Sequence, residues 1–317
     1  QKPRSPLTTS SLQQESWRIY KFSAKKTMFL AQGLYEVGLI TYMRTDSQQI
    51  AKEAMDSIRS FIETNFGKEY LEPALRKFKK TSKLAQEAHE AIRPTDISRA
   101  PESIKEDLTP DQYKLYDLIW RRTLATQMKD AIFNSTVFWI LAKKEREEKK
   151  YYFRSSGQIL RFPGFLKVYS FLKFQENNLP PLEAKCSLKA AQISLSEHET
   201  KPPSRYNDGS LVKTLEKYGI GRPSTYAPII FTLQERGYIE KNQAKSFAPT
   251  EIGFKVNDLL IEHFSDIVDV GFTAKMENNL DEIAIGSRPW QPIISEFYGP
   301  FSENLKKKYE EVEKKVE

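Results

Sequence analysis

Tyr42 and Arg44 stand one residue apart in the segment Gly38-Leu39-Ile40-Thr41-Tyr42-Met43-Arg44-Thr45-Asp46-Ser47, and a phenol beside a guanidinium is a pair that can attack a phosphodiester. If Leu39 to Arg44 is extended, Tyr42 and Arg44 share one face and Met43 takes the other. A phenol ordinarily titrates near pH ~10, so as a nucleophile it needs a neighbouring cation to favour phenolate and to balance charge on phosphoryl oxygens. Arg44 can do both. Asp46 or Ser47 is placed to cap a helix beginning near Gln48, which would fix the strand end rigidly, and Thr45 and Asp46 are read as supporting residues. On residue types alone, a packed aromatic beside a surface arginine remains the commoner arrangement.

Two other segments gather cations and phosphate-sized turns. Ala85 to Asp96 reads Ala-Gln-Glu-Ala-His-Glu-Ala-Ile-Arg-Pro-Thr-Asp, a pattern that predicts a helix stopped at Pro94 with His89 and Arg93 on one face. A phosphate or carboxylate could be held there; a satisfied interhelical histidine is the plainer alternative. Gly219-Ile220-Gly221-Arg222-Pro223-Ser224-Thr225-Tyr226 predicts a glycine turn entering a helix whose first residues offer hydroxyls and free backbone N–H groups, with Arg236 one helix further on. The order of residues is neither that of a P-loop nor that of a Rossmann turn.

The elements that must position these residues follow from composition and periodicity. Ser11 to about Met128 is mostly helical, with a clear start at Thr109-Pro110-Asp111. From about Asp130 the texture turns β-branched and aromatic: Thr136–Ala142, Tyr151–Ser155, Ile159–Phe162 and Phe165–Phe174 predict antiparallel strands, with turns at Ser156-Gly157 and Pro163-Gly164. The charged run Lys143 to Lys150 reads as a solvated hairpin loop, with a basic contact surface as the alternative. After Lys201-Pro202-Pro203 helices return, ending in a Lys- and Glu-rich helix from about Pro292.

An internal correspondence links the two helical parts. Ser11, Leu12, Leu34, Glu36, Gly38 and Ile40 match Ser210, Leu211, Leu233, Glu235, Gly237 and Ile239 at one constant offset, 199. Each copy reads helix, turn, helix, glycine, short strand, which is the outline of a winged helix-turn-helix. Two unrelated helical hairpins ending at glycine caps would give a similar outline.

Bulk composition narrows the setting. Lys plus Arg total 49 against 42 Asp plus Glu, a net charge of +7 that suits a polyanionic partner. Cys186 is the single cysteine, so neither an intrachain disulfide nor a cysteine zinc cluster can form, and a reducing, cytoplasmic setting fits. The apolar runs are shorter than a bilayer span. The chain opens on Gln1 rather than Met, as an excised piece would.

Taken together, Gly-Leu-Ile-Thr-Tyr-Met-Arg-Thr-Asp-Ser, Ala-His-Glu-Ala-Ile-Arg-Pro-Thr-Asp and Gly-Ile-Gly-Arg-Pro-Ser-Thr-Tyr, in that order and preceded by Ser10-Ser11-Leu12-Gln13-Gln14, resemble the type IA DNA topoisomerases of the bacterial topoisomerase I branch. The resemblance runs through essentially the whole chain. It implies that Tyr42 becomes joined to a 5′ phosphate of one cut strand, that Arg44 holds the scissile phosphate, and that His89 and Arg93 support DNA nearby. Arg222, Ser224, Thr225 and Arg236 would grip the single strand leading in. The implied architecture is multidomain and mainly α, with a β-rich antiparallel arch and two winged-helix-like units, as part of a toroidal core. Residues 1–129 would form the gate with the tyrosine, 130–200 an incomplete arch, and 201–317 the single-strand-binding domain.

The family's Toprim module, whose Glu and Asp-x-Asp carboxylates bind Mg²⁺, finds no counterpart here, since the sequence holds no Asp-x-Asp. It would precede residue 1, so no metal site is expected within the chain, and by itself the chain is expected to bind DNA without relaxing it. ATP is not needed, because the phosphotyrosine stores the bond energy. The partners implied are DNA, preferably single-stranded, and the Toprim module; no membrane is involved, and the protein would be a monomer in the bacterial cytoplasm, at the nucleoid. Two alternatives are a tyrosine recombinase-like enzyme and a non-catalytic winged-helix module. The first normally carries its nucleophile near the C-terminus, whereas Tyr42 lies near the start.

Overall fold

A computed structural model describes residues 1–78, 90–142 and 148–312. The chain divides into two compact units, each assembled from separate stretches: one from Gln1–Ser5, Met55–Lys77 and Arg121–Ser204, the other from Pro6–Ala54, Phe78–Trp120 and Arg205–Glu317.

The larger unit contains the repeat, and its helix ends explain why the two copies fold alike. Thr8 caps α1 (Thr9–Tyr20) and Asn207 caps α5 (Asp208–Tyr218), each in a capping box completed by the serine three residues on, Ser11 or Ser210. Left-handed residues, Lys21 and Gly219, end both helices. The second helices, α2 (Ala24–Glu36) and α6 (Tyr226–Glu235), stop at matching glutamates. Gly38 (φ 73°) and Gly237 (φ 67°) then turn the chain, so that the next amide reaches back to Leu34 O or Leu233 O.

The likeness continues past the aligned residues, onto the returning strand. Thr95 Oγ1 donates to Gly38 O at 2.6 Å, as Thr250 Oγ1 donates to Gly237 O at 2.6 Å. Ile92 N donates to Leu7 O (2.8 Å) as Phe247 N does to Tyr206 O (2.7 Å), and Ile40 bridges Pro94 as Ile239 pairs with Pro249. What differs is the chain between the outgoing and returning strands. In the second copy β3 (Ile239–Lys241) and β4 (Phe247–Pro249) form a short hairpin. In the first, the chain travels from Thr41 to Arg93 before returning, and this excursion carries Tyr42, Arg44 and α3 (Lys52–Phe66).

The two copies share a core. α1 packs on α5 and α2 on α6, and Ala24, Val212, Tyr226, Ala227, Ile230 and Phe247 form one buried cluster. Asp208 is buried at the joint, where its carboxylate accepts from Ala24 N at 3.1 Å and lies 2.8 Å from Lys241 Nζ. α4 (Pro110–Gln127), which starts at the predicted proline, is tied down by Tyr116 Oη donating to Arg99 O and Trp120 Nε1 donating to Ile97 O. α7 (Glu251–Val268), α8 (Val270–Ala284) and α9 (Trp290–Glu311) complete the unit, joined by the rings of Phe264, Phe272, Phe297 and Phe301.

In the smaller unit β1 (Ile132–Ala142) and β2 (Tyr151–Phe162) pair antiparallel from Ile132↔Phe162 to Ala142↔Tyr151. Both strands are largely exposed; Trp139, Tyr152 and Phe153 are among the open aromatics. Arg122 anchors the unit's base, its guanidinium over the Tyr169 ring and donating to Tyr169 Oη.

Several sequence expectations need correcting. Phe165–Phe174 is not a strand: Gly164–Lys167 is a short 3-10 helix, and Phe165, Leu166, Val168 and Tyr169 are buried at a helical rather than an alternating spacing. Gly164 cannot carry a side chain there, since a Cβ would lie 2.4 Å from Lys129 O and Asp130 O. Ser156-Gly157 is no turn but mid-β2, where Gly157 leaves room for Asn177 O, 2.4 Å from a built Cβ. Among the described residues the strands expected there reduce to one hairpin, followed by the short 3-10 helix and then by irregular chain through Ser204. The helix expected near Gln48 begins at Lys52, because Ser47 Oγ accepts from Gln49 N and makes a turn instead. Residues 90–94, expected helical, are extended and bridge to Leu7 and Ile40. Lys143 to Glu147 lie outside the described residues, as does His89.

Gly38 and Gly237 share a left-handed conformation, and no atom lies within 4 Å of a Cβ built on either. Replacing either by alanine should therefore cost only the backbone term, about 1–2 kcal/mol, and nearly the same amount at both positions, as measured by urea denaturation.

Candidate active site

The extended run expected over Leu39 to Arg44 is not formed: after the isolated bridge at Ile40 the chain bends at Thr41, Met43 and Arg44, and Tyr42 sits on this irregular segment, held by hydrogen bonds from both sides. Upstream, Thr41 N donates to Arg93 O (2.9 Å) and Thr41 Oγ1 donates to Ala91 O (2.7 Å). Downstream, Thr9, wholly buried in the first turn of α1, donates its hydroxyl to Met43 O (2.7 Å) and toward Thr45 O (3.1 Å), and accepts from Thr45 N (2.9 Å). Ile40, Met43 and Thr45 are buried as a result, and the side chains between them, Tyr42 and Arg44, are turned outward. The expected sharing of one face is thus realised without a strand ladder.

Tyr42 is 43% exposed and meets the edge of Tyr35 at 5.2 Å between ring centres, with planes inclined by 67°. Tyr35, in the last turn of α2, had no distinguishing sequence signal. Tyr42, Arg44, Thr45 and Asp46 line one side of an open cavity of about 410 Å³; Arg222, Pro223, Ser224, Asp281, Ala284 and Ile285 line the other. Residues nearly two hundred positions apart are so brought to one place. Arg44 is exposed and pairs with no acid among the described residues.

Arg222 is differently placed. Its Nη2 and Nε donate to the two Asp281 oxygens at 2.7 and 3.3 Å, Glu277 Oε2 lies 3.7 Å from Nη1, and that nitrogen also donates to Gly221 O at 2.9 Å. Burial works against its charge, but the Asp281 and Glu277 carboxylates outweigh burial and raise its pKa. Thr225 braces the turn, its Oγ1 accepting from Arg222 N at 2.8 Å, while Ser224 opens to the cavity. Neighbouring Tyr226 is buried, and burial first, then Glu216, raises its phenol well above the ordinary value, whereas the exposed Tyr42 ring lines the cavity. Arg93 and Arg236 do not line the cavity. Arg93 is engaged by Glu90 at 2.6 Å and by Pro94 O, and Arg236 is the exposed cap of α6.

A family profile described as DNA topoisomerase matches residues 1–295. The chain belongs to the DNA topoisomerase family. It is 46% identical to DNA topoisomerase 1 of Rickettsia felis over 316 residues, covering 96% of this chain and 40% of that protein, and 44% identical to that of Rickettsia typhi. Its structure resembles that of full-length topoisomerase I from Thermotoga maritima with a TM-score of 0.84 and 40% identity, over 95% of this chain and 50% of that one. The chain therefore spans about 40% of the length of the curated topoisomerases it matches. The resemblance to bacterial topoisomerase I read from the three motifs is borne out. No helix among the described residues is long and apolar enough to cross a membrane.

Thr9 is the hinge pin of this geometry, and sequence motifs did not single it out. Thr9→Val keeps the shape and removes both its donor and its acceptor, leaving Met43 O and Thr45 N unpaired in the interior. The loss should be about 1–3 kcal/mol in urea denaturation.

Proposed function

We propose that Tyr42 is the nucleophile of a type IA topoisomerase and that this chain carries the strand-cleaving half of its active site. The observation that supports this most directly is the joint exposure of Tyr42 and Arg44 in one open cavity whose far wall is Arg222 and Ser224. In the reaction, Tyr42 Oη loses its proton and bonds to the phosphorus. The bond from phosphorus to the 3′ oxygen breaks, and that oxygen takes up a proton. One strand is left joined through its 5′ phosphate to Tyr42, with a free 3′ hydroxyl on the other side. Arg44 balances charge on the phosphoryl oxygens as the fifth bond forms. Attack by the 3′ hydroxyl on the phosphotyrosine reverses each step, so religation uses no ATP and strand passage in between changes DNA topology.

The roles of the remaining parts belong to the same reading. Residues 1–129 act as the gate, 130–200 as part of the arch and hinge, and 201–317 as the single-strand groove. The two helix–turn–helix copies serve as winged helices within a toroidal enzyme. Arg93, Thr225 and Arg236 contact the DNA backbone away from the cavity wall, and His89 supports DNA binding. The protein acts as a bacterial, cytoplasmic monomer on negatively supercoiled DNA.

Magnesium is the cofactor this chemistry would call on, supplied by a Toprim module. Among the described residues, no group of three His, Cys, Asp or Glu side chains could hold a metal ion. Asp46 and Asp281 are the acids at the cavity wall, and Asp281 is already taken by Arg222. These residues do not fit the ion, and no step above is routed through it.

The chain should be mixed with a Toprim module, Mg²⁺ and 3′-end-labelled single-stranded DNA, then denatured. A labelled protein adduct is expected, absent in Tyr42→Phe and reduced by orders of magnitude in Arg44→Ala. An adduct that survives Tyr42→Phe, or label retained only when the 5′ end is marked, would refute the assignment.

A further inference from the structure

The Arg222 side chain lines the cavity opposite Tyr42, yet none of its guanidinium nitrogens is left without an internal acceptor. Nε and Nη2 form the fork onto Asp281, and Nη1 donates to Gly219 O (3.3 Å) and Gly221 O (2.9 Å), with Glu277 adjacent. A guanidinium binds a phosphate best through two parallel N–H groups, and here the Nε/Nη2 edge is occupied by a carboxylate of the same geometry. The acids come from α8 and the arginine from the turn before α6, so the contact also joins two elements. Glu277 adds a second tie by accepting from Gly221 N at 3.0 Å. All of these groups are only half-buried: the exposed fractions are 27% for the Arg222 side chain and 31% for Asp281. An ion pair this open to water is weak enough to be exchanged.

We propose that Asp281 is a positioning residue that occupies the phosphate-binding edge of Arg222 in the free protein and is displaced when a DNA phosphate enters the cavity. Asp281 acts on the strand through Arg222. It keeps the guanidinium folded over its own turn until a competing anion arrives, and it disfavours anions that cannot take over both N–H groups. Glu277, which holds the Gly221 amide, keeps the turn in place during the exchange. This inference rests on the reading of the cavity as a DNA site, but needs no cleavage chemistry.

The test is equilibrium binding of a fluorescent single-stranded oligonucleotide over a range of salt concentrations, using the chain, Asp281→Asn, Arg222→Gln and the double variant, each checked for cooperative thermal unfolding. Asp281→Ser serves as a second variant if the amide itself perturbs the turn. Freeing Arg222 should tighten binding about two- to fivefold, the scale of a part-exposed pair. The dependence of log affinity on log salt should change by less than about 0.7, the step for one phosphate on a single strand, because Arg222 neutralises the same phosphate in both forms. In the Arg222→Gln background the same Asp281 change should have no effect. Equal tightening in both backgrounds would mean simple removal of a repelling charge, and would overturn the proposal. Weaker or unchanged binding in Asp281→Asn would overturn it too, by making Arg222 a clamp of its own turn. If the unaltered chain binds no single strand at all, the functional reading falls, and this inference with it.

Discussion

Thr9 Oγ1 lies where three backbone groups of the Tyr42 segment converge, Met43 O, Thr45 O and Thr45 N, and it is fully buried there. A reactive side chain must be open to its substrate while the backbone beneath it stays still. Sheets usually meet both demands, yet Tyr42 is on no ladder. Its stillness comes from one hydroxyl downstream, from Thr41 bonded to residues 91 and 93 upstream, and from the burial of Ile40, Met43 and Thr45 between them. Because Thr9 opens α1, the same helix start that founds the first repeat also fixes the site. Fold and chemistry meet at one residue.

The repeat shows what could be read from residue order and what could not. Six matched positions predicted two like helical pairs, and the capping boxes at Thr8 and Asn207 and the left-handed Gly38 and Gly237 explain why those positions carry the pattern. The return strands escaped notice because the offset changes after the insertion: Thr95 answers Thr250 only once the chain from Thr41 to Arg93 is set aside. Local signals failed where tertiary contacts outvoted them. Phe165–Phe174 has strand-like composition but buries its apolar residues at helical spacing, and Gly157 signals a close backbone approach rather than a turn. Residues 90–94 look like the end of a helix, but pairing with Leu7 and Ile40 makes them extended.

The site was legible in part. Tyr42 and Arg44 emerged on one face, as their spacing suggested, and Arg222 and Ser224 joined them from far along the chain. Tyr35, Thr9, Glu277 and Asp281 were invisible to motif reading, because a ring contact, a buried hydroxyl and two helix-face acids have no local sequence mark. Electrostatics across the cavity is uneven: one arginine is open, and the other is masked by its own carboxylates. A basic net charge alone conveys nothing of that difference.

The long excursion of the first repeat bears on how such a site could be accommodated at all. Its closure at Ile40 and Pro94 uses the same bonds that close the short hairpin at Ile239 and Pro249, although the path between is roughly fivefold longer. Ring-closure entropy grows only with the logarithm of length, so the longer path costs at most about 1.5 kcal/mol more, and α3 within it lowers even that. A small, self-sufficient stem can therefore host a large and chemically specialised cargo with little thermodynamic penalty, and the second repeat preserves the stem in its bare form.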